Sequence, residues 1–232
     1  MEPKPRLLTI LDIVCVALLL IATGMVFFYA PTEAVMGLVQ KVFYFHVSSA
    51  WVGMLGFIVA AIAGIAYLRS GKRSWDTVGL ASVEIGMVFS FIAVVTGSIW
   101  ARPIWNTWWT WDPRLTTTTI MLLIYAAYLM LRSGIEDPDR RARFGAVYAI
   151  IGFLSVPLTF FSARLFRTIH PVVIGTNQPG AEGGFDMTPK MLQAFLFSLF
   201  TFSVIFVSLL WHRVRLGKLQ DKVEQIKLQI NV

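Results

Sequence analysis

The sequence predicts an all-α, polytopic membrane protein with six transmembrane helices. Hydrophobic residues make up 56% of the 232 residues and charged residues only 14%, unlike the balance of a soluble domain. The apolar residues are concentrated in long runs, near the length of about 20 residues that a helix needs to cross the hydrocarbon core. Basic residues lie in short clusters between the runs, so the net charge of +7 reflects membrane topology and not a nucleic-acid partner.

Each predicted helix corresponds to one apolar run. The six predicted spans cover residues 7–29, 46–68, 77–99, 116–131, 144–163 and 191–211. The fourth run is short, which leaves room for a helix that starts within the preceding loop. Two carboxylates fall inside predicted spans, Asp12 and Glu84, and we expect them to pair with Arg6 or with the basic residues of 69–73 near the inner interface.

The distribution of Lys and Arg predicts that both chain termini lie on the cytoplasmic side. Of the 20 Lys and Arg residues, 14 lie in the N-terminus, at 69–75, at 132–143 and after the last span, and 6 lie in the alternate loops. Because cytoplasmic loops carry the excess of basic residues, this asymmetry indicates an N-in, C-in topology. Three loops then face the outside, at residues 30–45, 100–115 and 164–190.

Two segments outside the spans have helical periodicity. In the first external loop, apolar residues at helical spacing predict a short helix on the membrane surface that leads into the second span: Val35, Leu38, Val39, Val42 and Phe43. After the last span, charged and aliphatic residues alternate with a period of about 3.6 and predict an amphipathic cytoplasmic tail. We therefore divide the chain into a six-helix domain at residues 1–212 and a tail at residues 213–232.

The second external loop is unusually rich in tryptophan. Five of the eight tryptophans lie in residues 100–116, here called the tryptophan segment: Trp100, Trp105, Trp108, Trp109 and Trp111. Single tryptophans near helix ends are typical of the membrane interface, where the ring lies in apolar surroundings and the N–H reaches water. This segment instead interleaves its rings with charged residues and two prolines, which argue against a continuous helix. We interpret it as a binding platform.

A platform of indoles beside guanidinium groups suits a large, flat, apolar ligand that carries carboxylates, and haem has this description. Indole faces pack on a macrocycle through dispersion and offset stacking, while Arg102 and Arg114 can donate forked, charge-assisted hydrogen bonds to propionates. Other external cations could do the same: Lys41, Arg164 and Arg167. Asp112 could orient Arg114, accept a hydrogen bond from an indole, or cap the following helix.

Two of the three histidines are predicted on the same side as the tryptophan segment. His46 begins the second span and His170 lies in the third external loop, whereas His212 falls on the cytoplasmic side. A neutral imidazole is a common axial ligand of haem iron. Each histidine alone could be a polar residue at the membrane interface, but their place beside the tryptophan segment favours ligation of one porphyrin from opposite faces.

Cysteine usage limits how haem could be held. Cys15 is the one cysteine of the chain, and it lies inside the first apolar run. The sequence therefore has no Cys-x-x-Cys-His motif for covalent haem attachment and no internal disulfide. Any haem bound by this chain is expected to be haem b, held non-covalently.

A specific motif occupies the second half of the tryptophan segment. It reads Trp105-Asn-Thr-Trp108-Trp109-Thr-Trp111-Asp112-Pro-Arg114-Leu-Thr116. This string closely resembles the WWD signature of the haem-handling proteins of cytochrome c maturation, and the chain length and the two external histidines resemble the CcmC family in particular. Such proteins carry one histidine in each flanking external loop, which His46 and His170 match. Relatives often have Pro where Ser48 stands here, which affects the local backbone and not the ligand.

The resemblance implies a bacterial inner-membrane protein that binds haem at its periplasmic surface and presents it to the haem chaperone CcmE. It also implies assembly with CcmA, CcmB and CcmD into an ATP-driven complex that releases the loaded chaperone. Two other functions stay open, a haem permease and a subunit of a haem lyase or synthetase. A permease would need a polar path through the helices, and lyase relatives are usually longer with additional intramembrane histidines.

Motifs for several enzyme classes are absent from the sequence. It contains no Gly-x-x-x-x-Gly-Lys for ATP, no His-Glu-x-x-His for zinc and no Gly-x-Ser-x-Gly nucleophile elbow. We therefore expect a subunit that binds and transfers haem and has no catalytic residues of its own, although it could assist attachment of haem to the chaperone.

Overall fold

Six long apolar helices build the molecule. The computed structural model describes residues 3–166, 168–171 and 187–230, and within them six helices are long and apolar enough to cross a membrane. This confirms the predicted fold class. The helices, in chain order, are α1 (Arg6–Gly24), α2 (Val42–Ser70), α3 (Arg73–Trp105), α4 (Pro113–Ser133), α5 (Pro138–Gly152), α6 (Ser155–Leu165) and α7 (Pro189–Ile230). A π-helical turn (Met25–Tyr29) extends α1, and α5 and α6 together form the fifth span.

Local sequence signals explain several helix ends. The Asp112 and Asp137 side chains accept hydrogen bonds from the backbone N–H groups of Leu115 (2.9 Å) and Arg140 (2.7 Å), and in both helices proline follows the cap. Proline suits the first helical turn because its missing N–H would be unsatisfied there anyway. At the C-terminal end of α2, Gly71 adopts the left-handed conformation (φ 66°) that commonly ends a helix.

Small residues bring α2 and α3 close together. A Cβ atom at Gly56 would lie 2.6 Å from the carbonyl oxygen of Ser82 and 2.8 Å from the Cα of Gly86, so neither glycine position leaves room for a larger residue. Such close backbone approach is how helices gain packing energy inside a membrane, where lipid supplies no hydrophobic driving force. The rings of Phe57 and Tyr125 stack at 3.7 Å between centroids and link α2 to α4.

The first external loop differs from its prediction. Residues Leu38–Lys41 form a short 3₁₀ turn that continues directly into α2, and Phe43 is fully buried against α1 and α7. A short helical turn thus leads into the second span, as predicted, but it lies against the bundle. The apolar periodicity predicts one face toward lipid, whereas Val39, Val42 and Phe43 pack against residues of the π-helical turn, α3 and α7, and Val35 and Leu38 are exposed.

The intramembrane carboxylates have partners other than those expected. Asp12 accepts hydrogen bonds from Lys4 (2.5 Å), Ser208 (2.6 Å) and His212 (3.0 Å). Glu84 forms an ion pair with Arg213 at 2.5 Å. The reason is that α7 continues past residue 211, where the sixth span was predicted to end, and carries its polar residues alongside α1 and α3. The predicted helical tail is thus a direct extension of α7 as far as residue 230.

Candidate functional site

A cavity of about 600 Å³ opens at the end of the bundle that carries the tryptophan segment. Its wall is formed by α2, α3, α4, α6, the start of α7 and both flanking loops. Most of the wall is apolar, and the few polar groups include two histidines and one arginine: His46, His170 and Arg114. A mostly apolar cavity with few polar groups is typical of a site for a small organic ligand or cofactor, and its size is in the usual range of about 300–1,000 Å³.

His46 lies in the second turn of α2 and is held by α3. Its Nδ1 is 2.9 Å from the carbonyl oxygen of Ala93 and 3.3 Å from the hydroxyl of Thr96. A carbonyl oxygen can only accept, so Nδ1 carries the proton and donates it. The other ring nitrogen, Nε2, then has a free lone pair. Metal-binding histidines commonly have this arrangement, in which a backbone carbonyl fixes the tautomer and the ring orientation.

His170 has the same arrangement in the loop after α6. Its Nδ1 is 3.0 Å from the carbonyl oxygen of Pro171, and its backbone N–H donates to the hydroxyl of Thr168 at 3.1 Å. Burial, together with the positive charge of Arg114 and the nearby His46, holds the pKa of His170 well below its ordinary value. These effects favour the neutral imidazole, which is the form that ligates metals.

The two imidazoles lie close together in the cavity wall. Their ring centroids are 6.3 Å apart and the ring planes are inclined by 41°. A bond from imidazole nitrogen to a transition metal is about 2 Å long, so two such bonds on opposite sides of one metal place the ring centroids about 6 Å apart. The spacing of His46 and His170 thus fits one iron between them, and the apolar cavity around them fits the macrocycle.

The tryptophan segment is helical for its first third. Helix α3 runs through Pro103 to Trp105, so Trp100, Arg102 and Trp105 lie on a helix and not in a loop as predicted. Proline removes one helical hydrogen bond, while Trp100 packs edge-on against Phe43 (5.8 Å) and His46 (5.9 Å) and keeps this turn in place. The helix ends at Asn106, which adopts a left-handed conformation (φ 54°).

The five indoles of the tryptophan segment divide into two groups. Four of them line the cavity, together with Trp51 of α2: Trp100, Trp105, Trp108 and Trp109. Trp111 does not belong to that wall. Its side chain is 73% exposed and packs edge-on against Trp109 with 5.7 Å between ring centroids. The structure therefore brings most of the predicted platform together and places Trp111 on the outer rim.

Two of the predicted propionate-binding cations occupy different positions. Arg114 lines the cavity, but its Nη1 donates to the carbonyl oxygens of Thr159 (3.1 Å) and Phe160 (2.8 Å) and so ties α4 to α6. Arg102 is outside the cavity wall, where its Nη1 donates to the backbone oxygen of Asn106 at 2.6 Å and its guanidinium lies 6.0 Å from the Trp108 ring.

The remaining predicted cations contact other parts of the chain. Lys41 is buried and donates to the carbonyl oxygens at the end of α1, at 2.7 Å for Val26 and 3.2 Å for Ala30. It therefore caps the C-terminal end of α1, where a cation is favoured by the helix dipole. Arg164 lies over the Phe160 ring at 5.5 Å. Arg167 lies outside the described residues, as does most of the third external loop.

Asp112 has a connecting role that sequence patterns did not reveal. One oxygen caps α4 through Leu115, which is one of the three alternatives considered, and the other accepts a hydrogen bond from the Thr168 hydroxyl. Thr168 also accepts from the backbone of His170. The tryptophan segment and the His170 loop are thus joined through one carboxylate and one hydroxyl, which fixes the position of His170.

The chain matches the family model CcmC, described as Heme exporter protein C, over residues 2–229. The chain belongs to the CcmC family. Among curated relatives, Heme exporter protein C of Bradyrhizobium diazoefficiens is 32% identical over 202 residues, covering 86% of this chain and 74% of the relative. The Rhodobacter capsulatus protein of the same name is 31% identical, covering 88% and 84%, and the Escherichia coli protein is 29% identical, covering 82% and 74%.

Membership of the CcmC family agrees with the resemblance carried by the WWD motif. It places the chain among multi-pass membrane proteins that handle haem for cytochrome c maturation. Within the described residues, the WWD tryptophans and the two histidines line one cavity.

Proposed function

We propose that the protein binds haem b non-covalently between His46 and His170 and presents it to a haem chaperone. The observation that carries the proposal is the pair of imidazoles in an apolar cavity, each with Nδ1 held by a backbone carbonyl and with 6.3 Å between the ring centroids. When bound, haem would supply an iron that takes nitrogen ligands, and His46 and His170 would hold it through their Nε2 atoms. The hydrogen bonds of the two Nδ1 atoms already fix both rings.

Other cavity residues would position the macrocycle. The indoles of Trp105, Trp108 and Trp109 provide flat apolar surface, and stacked aromatic pairs contribute about 0.5–1.5 kcal/mol each beyond their buried area. Arg114 contacts the cavity while one nitrogen remains on α6, so its other N–H groups are the best-placed donors to a propionate. Apolar residues from α4 and α6, such as Met121 and Val156, exclude water from the inner wall.

The family and an exposed aromatic surface support a proposal for the partners. We propose a CcmE-like chaperone as acceptor and CcmA, CcmB and CcmD as the complex in which the chain works. Trp108 and Trp111 are exposed at the rim of the cavity, where a docking protein could reach both the rings and the haem edge. Aromatic side chains that are exposed beside a binding cavity commonly anchor protein partners.

The alternative functions have less support from the described residues. A permease needs a polar path, yet the charged groups toward the opposite end of the bundle are engaged in the pairs Asp12–His212, Glu84–Arg213 and Asp76–Arg132. A lyase or synthetase subunit would need further histidines for a second haem, whereas His212, the third histidine of the chain, is bonded to Asp12. Haem binding and presentation require neither a polar path nor a second pair of histidines, so they agree best with the residues of this site.

Purified protein should carry haem b that extracts into acidified organic solvent. We expect a Soret band in protein purified after expression with ample haem, and a larger band after haem is added to the detergent-solubilised protein. Absorption spectroscopy and a pyridine haemochrome assay measure both. Absence of the band under both conditions would rule out the proposed function and leave the tryptophans as an interface belt.

We also propose that the site faces the periplasm of the bacterial inner membrane, with both termini in the cytoplasm. The asymmetry of 14 against 6 basic residues supports this topology. A reporter fused after Gly180, which lies outside the described residues, should behave as periplasmic, whereas fusions after Gly134 and at the C-terminus should behave as cytoplasmic. Periplasmic activity of the C-terminal fusion would contradict the orientation.

A further inference from the structure

The imidazole of His46 occupies space that only a glycine at position 97 leaves open. A Cβ atom built on Gly97 would have three nearest neighbours within 4 Å, and all three belong to the His46 ring: Cε1 at 2.8 Å, Nδ1 at 3.2 Å and Nε2 at 3.7 Å. A carbon–carbon approach of 2.8 Å is well inside van der Waals contact, so one of the two groups must move. The ring is the mobile partner, because Gly97 belongs to the backbone of α3.

Hydrogen bonds hold the ring over this glycine. Ala93 and Thr96 lie four and one residues before Gly97 on α3, and both accept from Nδ1 of His46. The Thr96 hydroxyl in turn donates to the carbonyl oxygen of Ile92 at 2.8 Å, which leaves its lone pairs for the imidazole. Residues 93, 96 and 97 of α3 thus all contact the His46 ring, two of them through hydrogen bonds to Nδ1 and the third through its backbone.

We propose that Gly97 is a positioning residue for His46, which sets the orientation of the imidazole by presenting bare backbone to its face while Ala93 and Thr96 fix its tautomer. This rests on the proposed function, in which His46 is an axial ligand. A side chain at position 97 pushes the ring off the carbonyl of Ala93 and turns Nε2 out of the position that this hydrogen bond gives it. Gly97 also lines the cavity, but the His46 ring is the nearest neighbour of an added methyl group, so the effect reaches the iron through His46.

The test compares two glycines of α3. Gly97→Ala should lower haem affinity by about 10- to 100-fold, the usual effect of losing an outer-shell partner of a metal ligand. It should also shift the Soret maximum and the EPR g values of the ferric protein toward those of His46→Ala. Gly79→Ala is the matched control, since its Cβ would lie 3.6 Å from the Ala63 Cβ, an ordinary contact. That variant should bind haem with the wild-type spectrum.

A second comparison separates steric positioning from general loss of structure. In a His46→Ala background the added methyl at position 97 meets no ring, so His46→Ala/Gly97→Ala should have the same spectrum and melting temperature as His46→Ala. If Gly97→Ala alone unfolds the protein, recovery of folding in the double variant supports the proposal. A double variant that is as unfolded as Gly97→Ala overturns it.

The two proposals fail in different ways. If His46→Ala leaves the haem spectrum unchanged, His46 is not a ligand, and the proposed function and the positioning proposal fall together. If His46→Ala changes the spectrum while Gly97→Ala matches Gly79→Ala in spectrum and affinity, His46 remains a ligand and only the positioning proposal is wrong. Thr96→Val, which keeps the shape and loses the acceptor, should give a smaller spectral shift that Thr96→Ser reverses.

Discussion

The double replacement of His46 and His170 by Ala should lower haem affinity by at least about 100-fold, because even outer-shell partners of metal ligands contribute about 10- to 100-fold and this change removes both iron bonds. The indoles of the cavity wall remain, so residual haem should be held by stacking alone, with a spectrum that lacks the signature of two imidazoles. Haem titration of the detergent-solubilised protein, followed in the Soret region and by EPR, measures both effects. Transfer to the proposed CcmE-like chaperone should be lost.

Two control variants test whether the effect is specific to the cavity. His212→Ala removes the remaining histidine, which is bonded to Asp12 and lies outside the cavity wall. Trp111→Ala removes an indole that is exposed and also outside that wall. Both variants should bind haem with the wild-type spectrum. A wild-type spectrum in the double histidine variant, or an equal change in His212→Ala, would show that the ligand assignment is wrong.

The spans were predictable because the bilayer imposes one strong rule. A helix that crosses hydrocarbon must be apolar for about 20 residues, and this length is visible in composition alone. Helix ends inside the protein follow other rules. Helix α3 passes through Pro103, and α7 continues for many residues beyond its apolar run. Both extensions depend on tertiary packing, about which a hydropathy profile contains no information.

The site was only partly predictable. Topology placed His46 and His170 on one side, and the structure brings their rings within 6.3 Å, but the sequence holds no signal for the carbonyl oxygens that fix their tautomers. Every residue has a backbone carbonyl, so the sequence does not indicate which carbonyl oxygens accept from the histidines. That depends on how the helices pack. The space over Gly97 is a similar case, since a glycine in an apolar helix has many uses.

Charge patterns were the least reliable guide to function. Lys41 was a candidate for a propionate because its predicted loop is external, yet it is buried and caps α1. A lysine in an external loop and a lysine that caps a helix look alike in sequence, since the difference is where the neighbouring helix ends. The same holds for Asp112, whose hydrogen bond to Thr168 joins residues far apart in the chain.

Replacement of Arg132 by Met should be the most destabilising single change away from the cavity. Arg132 forms a two-point ion pair with Asp76, from Nη1 to Oδ1 at 2.5 Å and from Nη2 to Oδ2 at 2.9 Å, and it joins α4 to α3. The side chains are only 7% and 20% exposed. Removing one partner of a buried pair leaves an uncompensated charge, which costs about 3–5 kcal/mol. Unfolding of the solubilised protein by SDS titration, followed by circular dichroism, measures this loss.

Arg73 provides a matched control at the same end of the bundle. It also pairs with an aspartate of another helix, Asp139 at 2.8 Å, but the two side chains are 48% and 82% exposed. Water screens this pair, so Arg73→Met should change the free energy of unfolding only slightly. If burial and not pairing as such is the cause, Arg132→Met/Asp76→Asn should regain most of the loss, because the second change removes the stranded charge. Equal losses of unfolding free energy in Arg132→Met and Arg73→Met would contradict that explanation. The haem spectrum of the Arg132→Met protein that remains folded should be unchanged, because this pair stabilises the bundle and does not contribute to the cavity.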